Sequence, residues 1–158
     1  MMNILVCVSC VPDTTSKINF TENDTEFDTN GVQFVINPND EFGLTRAMWF
    51  KEQNDANVDV INVGEQENES VLRKALAIGA DRAFRINEKA SDSFQVAKLI
   101  ANHIEGAQYD LIIAGRESID YNGSMVPGMI SELLNVSFIT NCVRLEINGQ
   151  NVVADREI

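Results

Sequence analysis

The chain has 158 residues, 44% hydrophobic and 23% charged, which fits one soluble globular domain with room for a sizeable core. Twelve Lys and Arg against 24 Asp and Glu give a net charge of −12, which argues against long nucleic acid or an anionic membrane as partner and leaves a small nucleotide open. No apolar run approaches the roughly 20 residues of a membrane span, the first residues lack the basic region of a signal peptide, and three cysteines are too few for a disulfide framework; the chain reads as cytoplasmic, without membrane insertion.

Residues 3–8 (NILVCV) are apolar and β-branched and read as a first strand. Cys7 and Cys10 form a CxxC, but no second CxxC or His pair accompanies it, and Pro12 opposes a helix directly after it. The preferred reading is a buried cysteine at a strand end plus a loop cysteine. Residues 17–35 form a long excursion, with 18–20 and 33–35 expected to pair around Asn30 and Gly31. Excursions at a strand's carboxyl end commonly cover a ligand or partner. Asn37, Pro38, Asn39 and Asp40 have the chemistry of a helix start. That helix reaches about Gln53, with Gly43, Leu44, Ala47, Phe50 and the stem of Lys51 on one side. Phe42 and Trp49 lie opposite, flanking Arg46, and read as a partner surface or as covered by another segment.

Residues 57–63 read as strand two, ending at Gly64. Helix two spans 68–79, with Val71, Leu72, Ala75 and Ile78 inward and Gly79 as its stop. Strand three is 82–86. Ser91 or Asp92 caps helix three, which carries Val96, Leu99, Ile100 and Ile104 inward and His103 on its surface. Residues 110–114 predict strand four, buried on both faces. A loop with Gly115, Arg116, Asp120, Asn122, Gly123 and Ser124 leads into helix four at Met125 and Val126, extending to about residue 134. Arg116 and Asp120 are expected to form an ion pair that shapes this loop. Residues 137–141 read as strand five, and 142–158 as a β-hairpin around Asn148 and Gly149.

This β-α alternation predicts a single α/β domain, 1–158, with a parallel sheet and helices on both faces. Ligands in such folds bind outside the carboxyl ends of the strands, where strand order reverses. If strand four lies beside strand one, three polar segments converge there: the loop after Cys7, residues 37–40, and the loop 115–128. Strand, glycine-containing loop and helix N-terminus are the parts of a phosphate site. The pattern matches neither GxGxxG nor the Walker motif. No nucleophile–base pair is evident, so catalysis by this chain is not expected.

Several stretches carry a family resemblance. They are ILVCV with Val11, Pro12 and Asp13; INPNDEF at 36–42; LRKALAIGADRA at 72–83; AGRESID at 114–120; and REI at 156–158. In these the sequence resembles the β subunit of electron-transfer flavoprotein, nearly end to end. The resemblance implies an adenine-nucleotide α-hydrolase-like α/β sandwich with a five-stranded parallel sheet, order 3-2-1-4-5. It implies an electron-carrier subunit, not an enzyme, that pairs with an FAD-carrying α subunit to shuttle electrons from flavin dehydrogenases. It implies AMP or FAD as the bound nucleotide. The residues carried over are Cys7, Asn37, Pro38, Asn39, Asp40, Val63, Gly115, Arg116, Asp120, Asn122, Gly123, Ser124, Met125 and Val126. The alternative is a stand-alone nucleotide-binding module of the universal-stress type. The sequence departs from the family pattern at Met125 and Pro127, where the family usually has Gln and Gly. It departs again at Ser9 and Cys10, where Lys and Gln are favoured. Family members also continue past Ile158, so the chain reads as the nucleotide-binding part of a longer subunit, in preference to a reduced paralogue.

Overall fold

The computed structural model describes residues 1–149 and 151–158. The elements that build the sheet and its helices are β1 (Met2–Cys7), α1 (Pro38–Asn54), β6 (Ala56–Val63), α2 (Glu69–Ile78), β7 (Arg82–Ile86), α3 (Ser93–Ile104), β8 (Leu111–Ala114) and α4 (Val126–Leu134). Between β1 and α1 come the short strands β2 (Cys10–Pro12), β3 (Phe20–Thr21), β4 (Glu26–Phe27) and β5 (Phe34–Ile36). The chain closes with β9 (Cys142–Asn148) and β10 (Asn151–Arg156).

The central sheet runs β7-β6-β1-β8, all parallel. Its period-2 alternation sorts the core. Ile4 and Val6 point to one face, where Leu44, Ala47, Phe50, Val71, Leu72 and Ala75 of α1 and α2 cover them. Leu5, Cys7 and Ile61 point to the other, against Ala97, Ile100, Ile104 and Ile130 of α3 and α4. Strand order reverses between β1 and β8, so a crevice opens at their carboxyl ends.

Four features differ from expectation. The predicted fifth strand is absent: residues 136–141 join no sheet, and the sheet has four strands. Asn135 ends α4 in the left-handed region, Val136 N–H bonds back to Ser131 O at 3.0 Å, and Phe138 and Ile139 stay exposed. Consequently β8 is an edge strand, and its residues are half-buried, not buried on both faces. In the excursion, 18–20 does not pair with 33–35. Instead β5 pairs with β2, extending the chain as it leaves β1, and β3 pairs with β4. The β3–β4 turn has Glu22, Asn23 and Asp24 at positive φ. Ile78 is exposed at the end of α2, where Gly79 turns the chain away at φ 131°. The helix-three cap resolves to Asp92, whose carboxylate accepts the Gln95 N–H at 2.8 Å.

The hairpin β9–β10 forms as predicted, with Asn148 opposite Asn151; Gln150 lies outside the described residues. It is the segment that folds over α1. The Arg46 guanidinium donates to Leu145 O and lies 4.3 Å from the centroid of the Trp49 ring and 4.7 Å from that of Phe50. Leu145 and Ile147 pack on the α1–α2 side of the core. One cation thus joins an exposed aromatic to a strand backbone. Replacing Arg46 with Ala is expected to speed amide hydrogen exchange across β9 and β10 at least several-fold while leaving β1 and β6 protected. Equal exchange in both proteins would mean that Arg46 does not hold the hairpin.

Candidate functional site

Asp40 is buried, and its two carboxylate oxygens reach in two directions. Oδ2 accepts the Ser9 N–H at 2.8 Å, just after β1. Oδ1 accepts the Gly115 N–H at 2.8 Å, just after β8. The chain therefore brings its three polar segments together through one side chain at the start of α1. Asn37 repeats the pattern: its amide donates to Glu117 O at 2.9 Å and accepts the Ile119 N–H at 3.2 Å, and its own N–H bonds Ser9 O at 2.9 Å. Asn39 also donates to Glu117 O, at 3.0 Å. Gly115 is required by this closeness: a Cβ there would lie 2.3 Å from Asp40 Oδ1 and 2.8 Å from backbone atoms of Asn39 and Asp40.

Beside this brace lies a cleft of about 670 Å³, within the size range of small-molecule sites. Of the sequence-predicted residues, Cys7, Asn37, Asp40, Val63, Gly115, Asp120, Gly123 and Val126 line it. Pro38, Asn122 and Met125 do not. Asn39, Arg116 and Ser124 face a second groove, about 660 Å³, between α1, β8 and residues 138–145. Arg116 pairs with Glu117 at 2.7 Å, not with Asp120. Asp120 instead accepts from the Ser118 hydroxyl and, at 3.1 Å, from the Tyr121 N–H.

Sequence reasoning missed Asn62 and Ser93, and took in Tyr121 only as part of the loop 115–128 without singling it out. Asn62 is buried, donates to Val8 O at 2.8 Å and accepts from Asn68 Nδ2 at 3.0 Å, which fixes the loop after β6 to that after β1. Its signal was a polar residue inside an apolar strand. Ser93 and Tyr121 carried no comparable signal.

The two helices that start beside the cleft differ. Asp92 caps α3 with its own carboxylate. By contrast, α4 opens at Met125 with no side-chain cap, and Pro127 lacks an N–H. An anion near the cleft is therefore drawn to α4. The rim adds little cationic help: Glu65, Glu67, Glu88, Asp92 and Asp120 face Lys89 among the described residues. Burial pushes the Cys7 thiol up to about 12, with Asp40 adding to the shift, and pushes Cys10 up to about 11, with Asp120 adding. Neither thiol is set up as a redox nucleophile near neutral pH. At pH 8 a disulfide reagent is expected to modify exposed Cys142 rapidly and Cys7 only on unfolding; rapid loss of all three thiols would contradict this.

Asp40→Ala strands two N–H groups and is expected to cost about 2–4 kcal/mol in denaturant unfolding. Gly115→Ala, which drives a methyl into the same contact, is expected to cost about 1–3 kcal/mol. Desolvation holds the Asp40 carboxyl above its usual 3.8, against the pull of its hydrogen bonds from Ser9, Asn37 and Gly115. The folded state thus favours the protonated form. This contribution falls as pH rises from 3.8 through the raised value and is level above it. The Asp40→Asn variant should lose that slope in a pH series of unfolding midpoints.

The family model for the electron transfer flavoprotein domain matches residues 24–158. Among curated proteins, the chain is 34% identical to the electron transfer flavoprotein subunit beta of Thermoanaerobacterium thermosaccharolyticum, over 99% of this chain and 61% of that protein. It is 32% identical to the subunit of the same name from Bacillus subtilis, over 99% and 62% of the two chains. It is also 32% identical to that of Clostridium acetobutylicum, over 96% and 59%. The chain therefore spans about three fifths of the length of the curated relatives it matches. With agreement across nearly all of its own length, the chain belongs to the electron transfer flavoprotein domain family.

Proposed function

We propose that this chain is the nucleotide-binding part of a β-type electron transfer flavoprotein subunit. It holds an adenine nucleotide, AMP or FAD, in the cleft beside Asp40. It pairs with an FAD-carrying α subunit, and the pair carries electrons away from flavin dehydrogenases in the cytoplasm. On this reading the chain is a carrier subunit and not an enzyme. The observation that carries the proposal is the match to subunits named electron transfer flavoprotein beta along nearly the whole chain. The universal-stress alternative has no comparable support. Among the described residues, no helix is long and apolar enough to cross a membrane.

The donor chemistry of the cleft fits such a ligand. Val8, Val63, Val96 and Ile100 offer apolar walls for a flat ring. The start of α4 offers backbone N–H groups for one phosphate. Asn37 and Asp40 are occupied within the protein, so their role is to hold the loops at the right separation. The acidic rim rewards no extra phosphate, so ATP gains nothing over AMP. A bound FAD would supply redox chemistry; AMP would supply none, and would act as a structural ligand.

Denaturing the purified chain and separating the released small molecules tests this directly. Release of AMP or FAD, or micromolar binding of added AMP by calorimetry, is expected. An empty protein that binds neither would overturn the proposal. The Pro127→Ala variant, at a residue that lines the cleft, adds an N–H to the first turn of α4 and is expected to tighten AMP binding about 3–10-fold. Unchanged affinity would place the phosphate elsewhere.

A further inference from the structure

The loop after β8 closes on itself. Ser118 and Gly123 form an antiparallel bridge, with the Ser118 N–H bonded to Gly123 O at 2.9 Å. Its base is pinned to Asn37 and Asn39 through Glu117 O and the Ile119 N–H. At its tip stands Tyr121, 62% exposed. The ring lies over Gly123, where a Cβ would sit 2.1 Å from Tyr121 Cε2 and 2.6 Å from its hydroxyl. Gly123 does not have a positive φ, so its backbone does not demand glycine; its lack of a side chain leaves the space in which the Tyr121 ring lies. The Tyr121 hydroxyl reaches 3.2 Å from Ser93 Oγ, on the first residue of α3. Both residues line the cleft, from opposite sides of the gap between the α4 approach and α3.

Tyr121 is thus an exposed aromatic outside both core clusters, on a bridged loop, with its hydroxyl meeting that of Ser93 where both line the cleft. The acidic rim supplies no clamp of cations to keep an anionic ligand in place. We infer that Tyr121 is the ligand-retaining residue of the cleft: its ring and its contact with Ser93 bar the mouth, and a bound adenine mononucleotide leaves only when that contact breaks. This rests on the nucleotide-binding reading above. Retention by a bar acts on the rate of escape, and loss of the bar shortens residence without removing the phosphate's partners at α4.

The test is a chase of radiolabelled AMP from the wild-type chain by excess unlabelled AMP. Tyr121→Phe and Ser93→Ala should each raise the dissociation rate about 2–10-fold. The double variant should do no more than either alone, because both break one contact. Tyr121→Ala, which removes the ring, should raise it further. A purely structural contact would lower the unfolding midpoints of Tyr121→Phe and Ser93→Ala while leaving the dissociation rate at its wild-type value. Binding by all variants with wild-type dissociation rates overturns the bar and leaves the nucleotide site standing. Failure of the wild-type chain to bind AMP overturns both.

Discussion

The carboxylate of Asp40 is the constraint on which the rest depends. Residues 9, 40 and 115 are far apart in sequence: Ser9 follows β1, Asp40 lies in the first turn of α1, and Gly115 follows β8. One buried side chain takes the first free N–H after β1 with one oxygen and that after β8 with the other. Burial makes the charge costly, and the bonds it accepts offset that cost. The same contact explains why position 115 has no side chain. Remove it, and the two strands flanking the switch point lose their common acceptor, so the cleft loses its fixed width.

Much of this was legible beforehand, because it rests on short-range patterns. The apolar, β-branched run through Ile4, Leu5, Val6 and Cys7 specified a first strand, and the structure covers both of its faces. The polar run 37–40 specified a helix start, and Asn148 with Gly149 a hairpin. What failed depended on partners distant in the chain. Residues 137–141 have the composition of a strand, but only pairing makes one, and they pair with no strand of the sheet; the Glu157 N–H reaches Asn141 O at 3.0 Å without forming a ladder. For the same reason β8 became an edge. The excursion was misread because β5 had two available partners, and β2 won by continuing directly from β1.

The site divides along the same line. Cys7, Asn37, Asp40, Gly115 and Val126 were named from sequence and meet at one cleft. Arg116 was drawn to Asp120 on paper by charge and proximity, yet its neighbour Glu117 is nearer and takes it, away from the cleft. Tyr121 lay within the loop 115–128 named from sequence but was not singled out, because an aromatic in a loop carries no periodic signal. Its place is visible only through the space it requires above Gly123. The result is a cleft that offers helix-start N–H groups and apolar walls but few cations, the features on which the proposal of an adenine nucleotide rests.

The central claim is that an adenine nucleotide occupies the cleft between the three braced loops, with its phosphate at the start of α4. Backbone amide NMR shifts on titration with AMP test it most directly. The claim predicts the largest shifts at Ser9, Gly115, Val126 and Gly128, with little change at Phe42, Phe138 and Val143 of the second groove. Shifts confined to that second groove, or none at saturating AMP, would contradict it.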